Sequence, residues 1–201
     1  MSKSGKNFSV EEENLNQKVV SGGLLQINGL GVLIKGDSGI GKSESALELI
    51  SRGWRFVSDD VTNIKKISED KLIGTSPSLS RYFMEIRGLG IINIKQIFGS
   101  KAICKRSKID LVINLKKWEQ NKEYDRLGLE SPEKHELLGV KIPQIIIPVA
   151  PGRNISTLIE VACKVQVLKE KGYHAPKEIT YRLKRDIASK EGKRNKKIDR
   201  L

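Results

Sequence analysis

From Val19 onward, short apolar runs alternate with a few stretches of helical spacing. Leu24-Leu25-Gln26-Ile27 and Leu30 to Lys35 are apolar runs separated by Asn28-Gly29. That dipeptide accepts positive φ at both positions and closes a tight hairpin, so two paired strands are predicted. The segment from Glu44 to about Arg52 repeats Ala46, Leu47, Leu49 and Ile50 at helical spacing, with Gly53 placed to end the helix in the left-handed conformation. Trp54 to Val57 predicts a short strand running into Ser58-Asp59-Asp60. Val61 to Ile67 and Leu72 to Thr75 predict a strand pair around Ser68 to Lys71.

Glu85 to Asn93 is glycine-rich, and Ile94 to Phe98 predicts a short helix closed by Gly99. Ile109 to Leu115 and Gln144 to Val149 predict apolar strands, and the polar segment between them, Lys116 to Gly139, a loop-rich excursion. Asn154 is placed to cap a helix carrying Ile155, Leu158, Ile159, Ala162, Val165 and Leu168, ended near Gly172. Pro176 opens a last helix over about Lys177 to Ser189, which leads into a basic tail. The pattern contains no internal repeat. It predicts one α/β domain over residues 18–175, preceded by a flexible leader at 1–17 and followed by a helix and basic tail at 176–201.

Composition changes this picture little. At 201 residues and 38% hydrophobic, the chain suffices for one full core. The polar start, with Glu11, Glu12 and Glu13, does not read as a signal peptide, and no run is long enough to span a bilayer, so a cytoplasmic protein is expected. Cys104 and Cys163 lie in apolar surroundings far apart, as small buried hydrophobes rather than a disulfide or metal pair. Thirty-seven basic against 24 acidic residues give a net charge of +13. Much of the excess sits in Arg182 to Arg200, a solvated tail by composition. No aromatics are interleaved with the basic residues to stack bases, so nucleic acid is not the expected partner.

The chemistry concentrates at residues 36 to 43, Gly36-Asp37-Ser38-Gly39-Ile40-Gly41-Lys42-Ser43. This is a complete G-x-x-x-x-G-K-S loop between a predicted strand and helix. Its glycines let backbone N–H groups curl around phosphate oxygens at a helix N-terminus. Lys42 would reach the β- and γ-phosphates and Ser43 would hold Mg²⁺, so ATP with Mg²⁺ is the expected ligand. Asp59 and Asp60 follow the next strand, whose carboxyl end should face the same crevice. One is placed to act near the metal and one to accept a proton, although aspartates are also common in solvated turns. Glu85 with Arg87 and Gly88 could set a metal ligand beside a phosphate clamp, or form a turn with a surface ion pair. Arg126, in Tyr124-Asp125-Arg126-Leu127-Gly128, could stabilise a transferring phosphoryl group or be a solvated residue.

Together these residues resemble the HPr kinase/phosphorylase family. The resemblance rests on Gly36 to Glu44, Arg52-Gly53 with Asp59-Asp60, Glu85-Ile-Arg-Gly-Leu-Gly-Ile91, Asp125-Arg126-Leu-Gly128 and Ile147-Pro-Val-Ala-Pro-Gly-Arg-Asn154. It runs from about Val20 to Tyr173. It implies a P-loop kinase-type core of mixed, mainly β sheet with flanking helices. It also implies ATP-dependent phosphorylation of a serine on the phosphocarrier protein HPr, in the regulation of carbohydrate metabolism. The reverse reaction would use inorganic phosphate and release pyrophosphate. By the same resemblance Lys42, Asp60 and Arg126 are catalytic, Ser43 and Glu85 bind Mg²⁺, and Pro148 to Arg153, with Gly152 and Arg153, serve dephosphorylation. The family assembles as hexamers, often exchanging C-terminal helices, a role open to the helix at Lys177 to Ser189.

The resemblance departs at Ser21-Gly22, where the family has a His-Gly pair counted in its active site. A serine hydroxyl hydrogen-bonds but neither serves as a base near neutral pH nor carries positive charge. Many members also carry an additional N-terminal domain. Two other readings therefore stay open: a related P-loop kinase acting on a different protein or small hydroxyl acceptor, and a nucleotide-responsive binding module whose basic tail meets acidic partners.

Overall fold

The computed structural model describes residues 16–120, 124, 128 and 133–198. The described residues divide into two compact units, one holding 16–120 and 133–164, the other 124, 128 and 165–198. The first, or body, holds three sheets and three α-helices, the third of them only in part. Strands β1 (Gln17–Ser21), β2 (Gly23–Ile27) and β3 (Leu30–Gly36) lead to helix α1 (Lys42–Ser51). Then come β4 (Arg55–Ser58), β5 (Val61–Ser68), β6 (Lys71–Thr75), β7 (Phe83–Ile86), β8 (Gly90–Asn93) and α2 (Ile94–Phe98). The body continues through β9 (Arg106–Lys108), β10 (Leu111–Lys117), β11 (Lys134–Leu137), β12 (Val140–Val149) and most of α3 (Ile155–Glu170).

The turn chemistry behaves as the sequence predicts. Asn28 and Gly29 both take positive φ, 51° and 83°, and pair β2 with β3 from Ile27 opposite Leu30. Gly53 at φ 96° follows the last turn of α1, and the Asn154 side chain accepts from the N–H of Thr157 at 2.8 Å to cap α3. Residues 30–34 of β3 and 111–113 of β10 are buried without alternation, as interior strands covered on both faces must be.

The central sheet has the order β11-β12-β10-β3-β2-β4. β3, β10 and β12 run parallel, and β2 is antiparallel to both β3 and β4. Consequently the carboxyl ends of β3, β4, β10 and β12 and the start of β2 all lie along one edge, the edge where ligands bind in such sheets. One face of this sheet buries Leu24, Leu33, Val112 and Ile142 against Val20, Ile64 and Leu72 of a second sheet, ordered β1-β5-β6-β9. α1 packs against β2, β3, β4 and β7 through Ala46, Leu49 and Ile50, while Ile159 and Cys163 of α3 are fully buried.

Several elements lay outside the predicted pattern. β1 was expected at the boundary of a leader, yet Gln17 to Ser21 pairs with β5 in full register. Only Val20 in it is buried, which is too little apolar signal to read as a strand. Glu85 to Asn93 forms most of a β7–β8 hairpin rather than a turn, and β11 arises within the segment expected to be loop-rich. Cys163 is buried and its thiol is pushed up to about 12, first by burial and then by Glu160, while Cys104 is only half-buried and donates to the Arg106 carbonyl.

The second unit contains the end of α3, closed by Gly172 at φ 89°, and the helix α4 (Ala175–Ile198). α4 extends nine residues past the expected end at Ser189, consistent with the good helix propensities of Lys, Arg and Glu along it. Ile179, Tyr181, Leu183 and Ile187 on it are exposed. Among the described residues no helix is long and apolar enough to cross a membrane.

Candidate active site

The phosphate loop takes its shape from where β3 ends. Gly36 adopts φ 149° beside Leu115 of β10, and a side chain there would collide with the Leu115 carbonyl at 2.7 Å. Gly39 and Gly41 take φ 76° and 100°, a region that costs any residue with a Cβ about 1 kcal/mol or more. Gly41 is the N-cap of α1 and no side chain caps that end. The first N–H groups of α1 therefore lack intrahelical partners and face an anion site. Lys42 Nζ donates to the carbonyls of Gly36 at 3.1 Å and Asp37 at 3.0 Å, folding its charge into the loop. Ile40 is buried and anchors the loop beneath Gly36.

The strand arrangement brings the acids to this loop. Ser43 Oγ donates to both oxygens of Asp59, at 3.1 and 3.2 Å, so Asp59 rather than Asp60 meets the loop hydroxyl. Asp60 lies in the left-handed region at φ 53°. A buried network holds it there. The Gly22 N–H donates to the Asp60 carbonyl at 2.7 Å, Thr62 Oγ1 donates to the Gly22 carbonyl at 2.7 Å, and Ser58 Oγ donates in turn to Thr62. Strain of this kind persists only where surrounding contacts over-determine it. It aims the Asp60 carboxylate into the cleft.

The β7–β8 hairpin supplies the opposite wall. Met84 and Ile86 are buried, so period-two alternation turns Glu85 and Arg87 outward toward the loop. The Arg87 guanidinium lies over Gly39, where an added Cβ would come within 3.1 Å of Nη1. Ser38, Gly39, Gly41, Lys42, Ser43, Glu44, Asp60, Glu85 and Arg87 line a cleft of ≈ 160 Å³. That is below the roughly 300 Å³ of a site that swallows a whole drug-sized ligand. It fits phosphate groups and a small cation.

Not every predicted residue joins the cleft. Glu44, which closes the motif carrying the family resemblance but had no role assigned, also lines it. Gly88, at φ 87°, sits exposed in the hairpin turn. Ser21 ends β1 opposite Val61, exposed and outside the cleft lining. Pro148, Gly152 and Arg153 lie at the carboxyl end of β12, on the same sheet edge. There Arg153 Nη1 donates to the Pro148 carbonyl at 2.6 Å and its guanidinium stacks 5.6 Å from the Trp118 ring centre. Arg126 lies outside the described residues.

The donors are hard oxygens: the Ser43 hydroxyl and the carboxylates of Asp59, Asp60 and Glu85. Such a set fits Mg²⁺, which takes one or two protein carboxylates and completes its shell with phosphate and water. Among the described residues no group of three or more His, Cys, Asp or Glu forms a cage, and magnesium needs none.

Burial, with Asp60 nearby, pushes the Asp59 carboxyl up to about 6, against the hydrogen bonds from Ser43 and from the N–H groups of Glu85 and Asp60. Raised above its unfolded value of 3.8, this group favours folding when protonated and loses that contribution as pH rises from about 4 to about 6. Asp59→Asn keeps the shape and removes the buried charge. In chelator, it is expected to stabilise the fold at pH 7.5 by about 2–3 kcal/mol, from the roughly two-unit shift. The gain should shrink toward pH 4.5. A thermal melt showing no gain at pH 7.5, or an equal gain at both pH values, contradicts this account.

Comparison with known proteins agrees with the geometry. The family model described as HPr Serine kinase C-terminal domain matches residues 13–183. The HPr kinase/phosphorylase of Thermoanaerobacter sp. (strain X514) is 47% identical over 180 residues, covering 90% of this chain and 59% of that protein. Its counterpart in Geobacillus thermodenitrificans is 48% identical over 176 residues, 88% of this chain and 56% of that protein. The chain thus spans little more than half the length of these curated relatives. Among solved structures, the Hpr(Ser) kinase/phosphatase from Coxiella burnetii superposes with a TM-score of 0.71 at 37% identity, covering 78% of this chain and 94% of that one. The expected P-loop kinase-type core, mixed α/β with flanking helices, is therefore present. Since the matched span holds the phosphate loop, both aspartates and the β7–β8 hairpin, the chain belongs to the HPr Serine kinase C-terminal domain family.

Proposed function

We propose that this chain is an ATP-dependent protein serine kinase acting on an HPr-like phosphocarrier protein in the cytoplasm, as part of carbohydrate regulation. The observation that carries the reading is the convergence of Lys42, Ser43, Asp60, Glu85 and Arg87 on one cleft at the phosphate loop. A nucleotide binder without chemistry has no use for a second carboxylate held in strained backbone beside the phosphates. Asp60 takes the proton of the acceptor seryl hydroxyl as the seryl oxygen bonds to the γ-phosphorus and the bond from that phosphorus to the β-phosphate oxygen breaks, releasing ADP. Lys42 and the N-terminal amides of α1 hold the phosphate oxygens, and Arg87 supplies further positive charge, as Arg126 would. Ser43 and Glu85 would hold Mg²⁺, which supplies charge neutralisation on the phosphates.

In the reverse sense, inorganic phosphate attacks phosphoserine, the serine oxygen recovers its proton from Asp60, and pyrophosphate leaves. The segment Pro148 to Arg153 would serve that half. Ser21, where the family has histidine, favours a second reading in which the reverse reaction is weak or the acceptor differs. Incubation with Mg-ATP and HPr, followed by added phosphate, tests both. Labelled HPr and then pyrophosphate are expected. Label without pyrophosphate selects the weakened reverse reaction, and no label on HPr overturns the acceptor.

The exposed Ile179, Leu183 and Ile187 recur at four-residue intervals on α4, one apolar stripe suited to a second copy of the chain. We read the working form as a homo-oligomer, a hexamer by family analogy. Light scattering of the purified chain checks the assembly size.

A further inference from the structure

A second group of charges lies away from the phosphate cleft. Lys35 Nζ sits 3.2 Å from His135 Nε2, although these residues are a hundred positions apart. Period-two alternation shows where they point. Lys18 is two residues from Val20, Lys35 two from Leu33, His135 two from Leu137 and Lys116 four from Val112. Val20, Leu33, Leu137 and Val112 all belong to the core between the two large sheets. The four basic side chains therefore share that inner face, at the rim where it opens along the carboxyl edge of β3 and β10. α1 packs on the other face, so this rim is separate from the nucleotide side of the loop.

We propose that Lys18, Lys35, Lys116 and His135 form a second anion site that takes a small phosphate-bearing ligand, with inorganic pyrophosphate as its simplest probe. Among the described residues, Lys18, Lys35 and Lys116 join no ion pair. Among the described residues, the Glu133 carboxylate accepts from the Gln144 amide at 3.1 Å. Burial and the neighbouring lysines lower the basicity of both Lys35 and His135, the response of cations crowded without a counter-ion. Gln144 hydrogen-bonds the His135 ring and orients it. The lysine ammonium groups act as mobile point charges, which suit a multiply charged tetrahedral oxyanion. Lys35 and His135 are half-buried while Lys18 and Lys116 stand exposed at the rim, an arrangement that suits a small ligand.

The site also touches the loop's foundation. A Cβ on Gly22 would lie 3.3 Å from Lys35 Cγ, and Gly22 is the residue whose N–H holds Asp60. Lys35 itself precedes the first loop glycine.

Titration calorimetry with pyrophosphate in chelator tests the proposal. It relies on the phosphate-loop reading for one of two expected binding events, and the variants separate them. Wild-type chain should bind two pyrophosphates. Lys42→Met should abolish the loop event alone. Lys35→Met with Lys116→Gln should weaken the other at least about tenfold, the size of one or two lost charge-assisted bonds, while Lys35→Arg retains it. A single event in wild type that Lys42→Met removes overturns the second site, as does retention of both events in Lys35→Met/Lys116→Gln. Two events insensitive to Lys42→Met overturn the loop reading instead. An equal response to citrate overturns the phosphate class.

Discussion

Asp60→Asn is expected to lower phosphate transfer to a seryl acceptor by about 10²- to 10⁴-fold, the usual contribution of a positioned general base. Mg-ATP binding should be nearly unchanged, because Asp59, not Asp60, contacts Ser43. The substitution is a clean one for a physical reason. Asp60 sits at φ 53°, and asparagine tolerates that region better than any other residue with a side chain except aspartate and histidine. The carbonyl that receives the Gly22 N–H is untouched. Single-turnover transfer to HPr and equilibrium nucleotide binding, measured on the same preparation, check both halves. Equal losses in both would place Asp60 in nucleotide binding; an undiminished rate would remove it from catalysis.

The second large effect concerns the frame rather than the chemistry. Gly31→Ala is expected to destabilise the chain by about 3 kcal/mol or more, at or beyond the top of the usual overpacking range. A methyl there would fall 1.5 Å from the Lys108 carbonyl oxygen and 2.5 Å from Ser107 Oγ. The obstacle is backbone, so rotamer changes do not relieve it. Nor can the strands drift apart freely. The Gly31 N–H donates to Asp110 Oδ2 at 2.8 Å, and the Asp110 N–H returns to the Gly31 carbonyl at 2.8 Å. Gly29→Ala is the control, because nothing lies within 4 Å of its Cβ position and only its φ of 83° is unfavourable. It should cost only about 1–2 kcal/mol. Denaturant melts that rank Gly29→Ala at or below Gly31→Ala in stability would contradict the close crossing.

Much of the site was legible because its ligands are neighbours in sequence. Eight consecutive residues form the phosphate loop, and a strand and a helix flank it as expected. The punctuation was equally local: Asn28-Gly29, Gly53, Asn154 and Gly172 each act within one turn of their own positions. Less legible were elements whose reason to exist lies elsewhere in the chain. β1 buries one side chain and is a strand because β5 pairs with it. The β7–β8 hairpin buries Met84 and Ile86 but leaves Leu89 and Ile91 exposed, so its apolar residues mark a core only in part. Its value to the site comes from α1 packing on β7, which no local pattern foretells.

What the sequence determined by itself was the phosphate loop, the hairpin before it, the capped helices and the identity of the acids and arginine available to it. These follow from short-range sterics and hydrogen bonding, which act over a few residues. Only the tertiary structure decided that Asp59 rather than Asp60 meets Ser43, that Arg87 covers Gly39, and that Lys35 faces His135. Those contacts depend on strand order and register. They are set by burying faces from distant segments together, and a one-residue slip would turn each of these side chains to the opposite face.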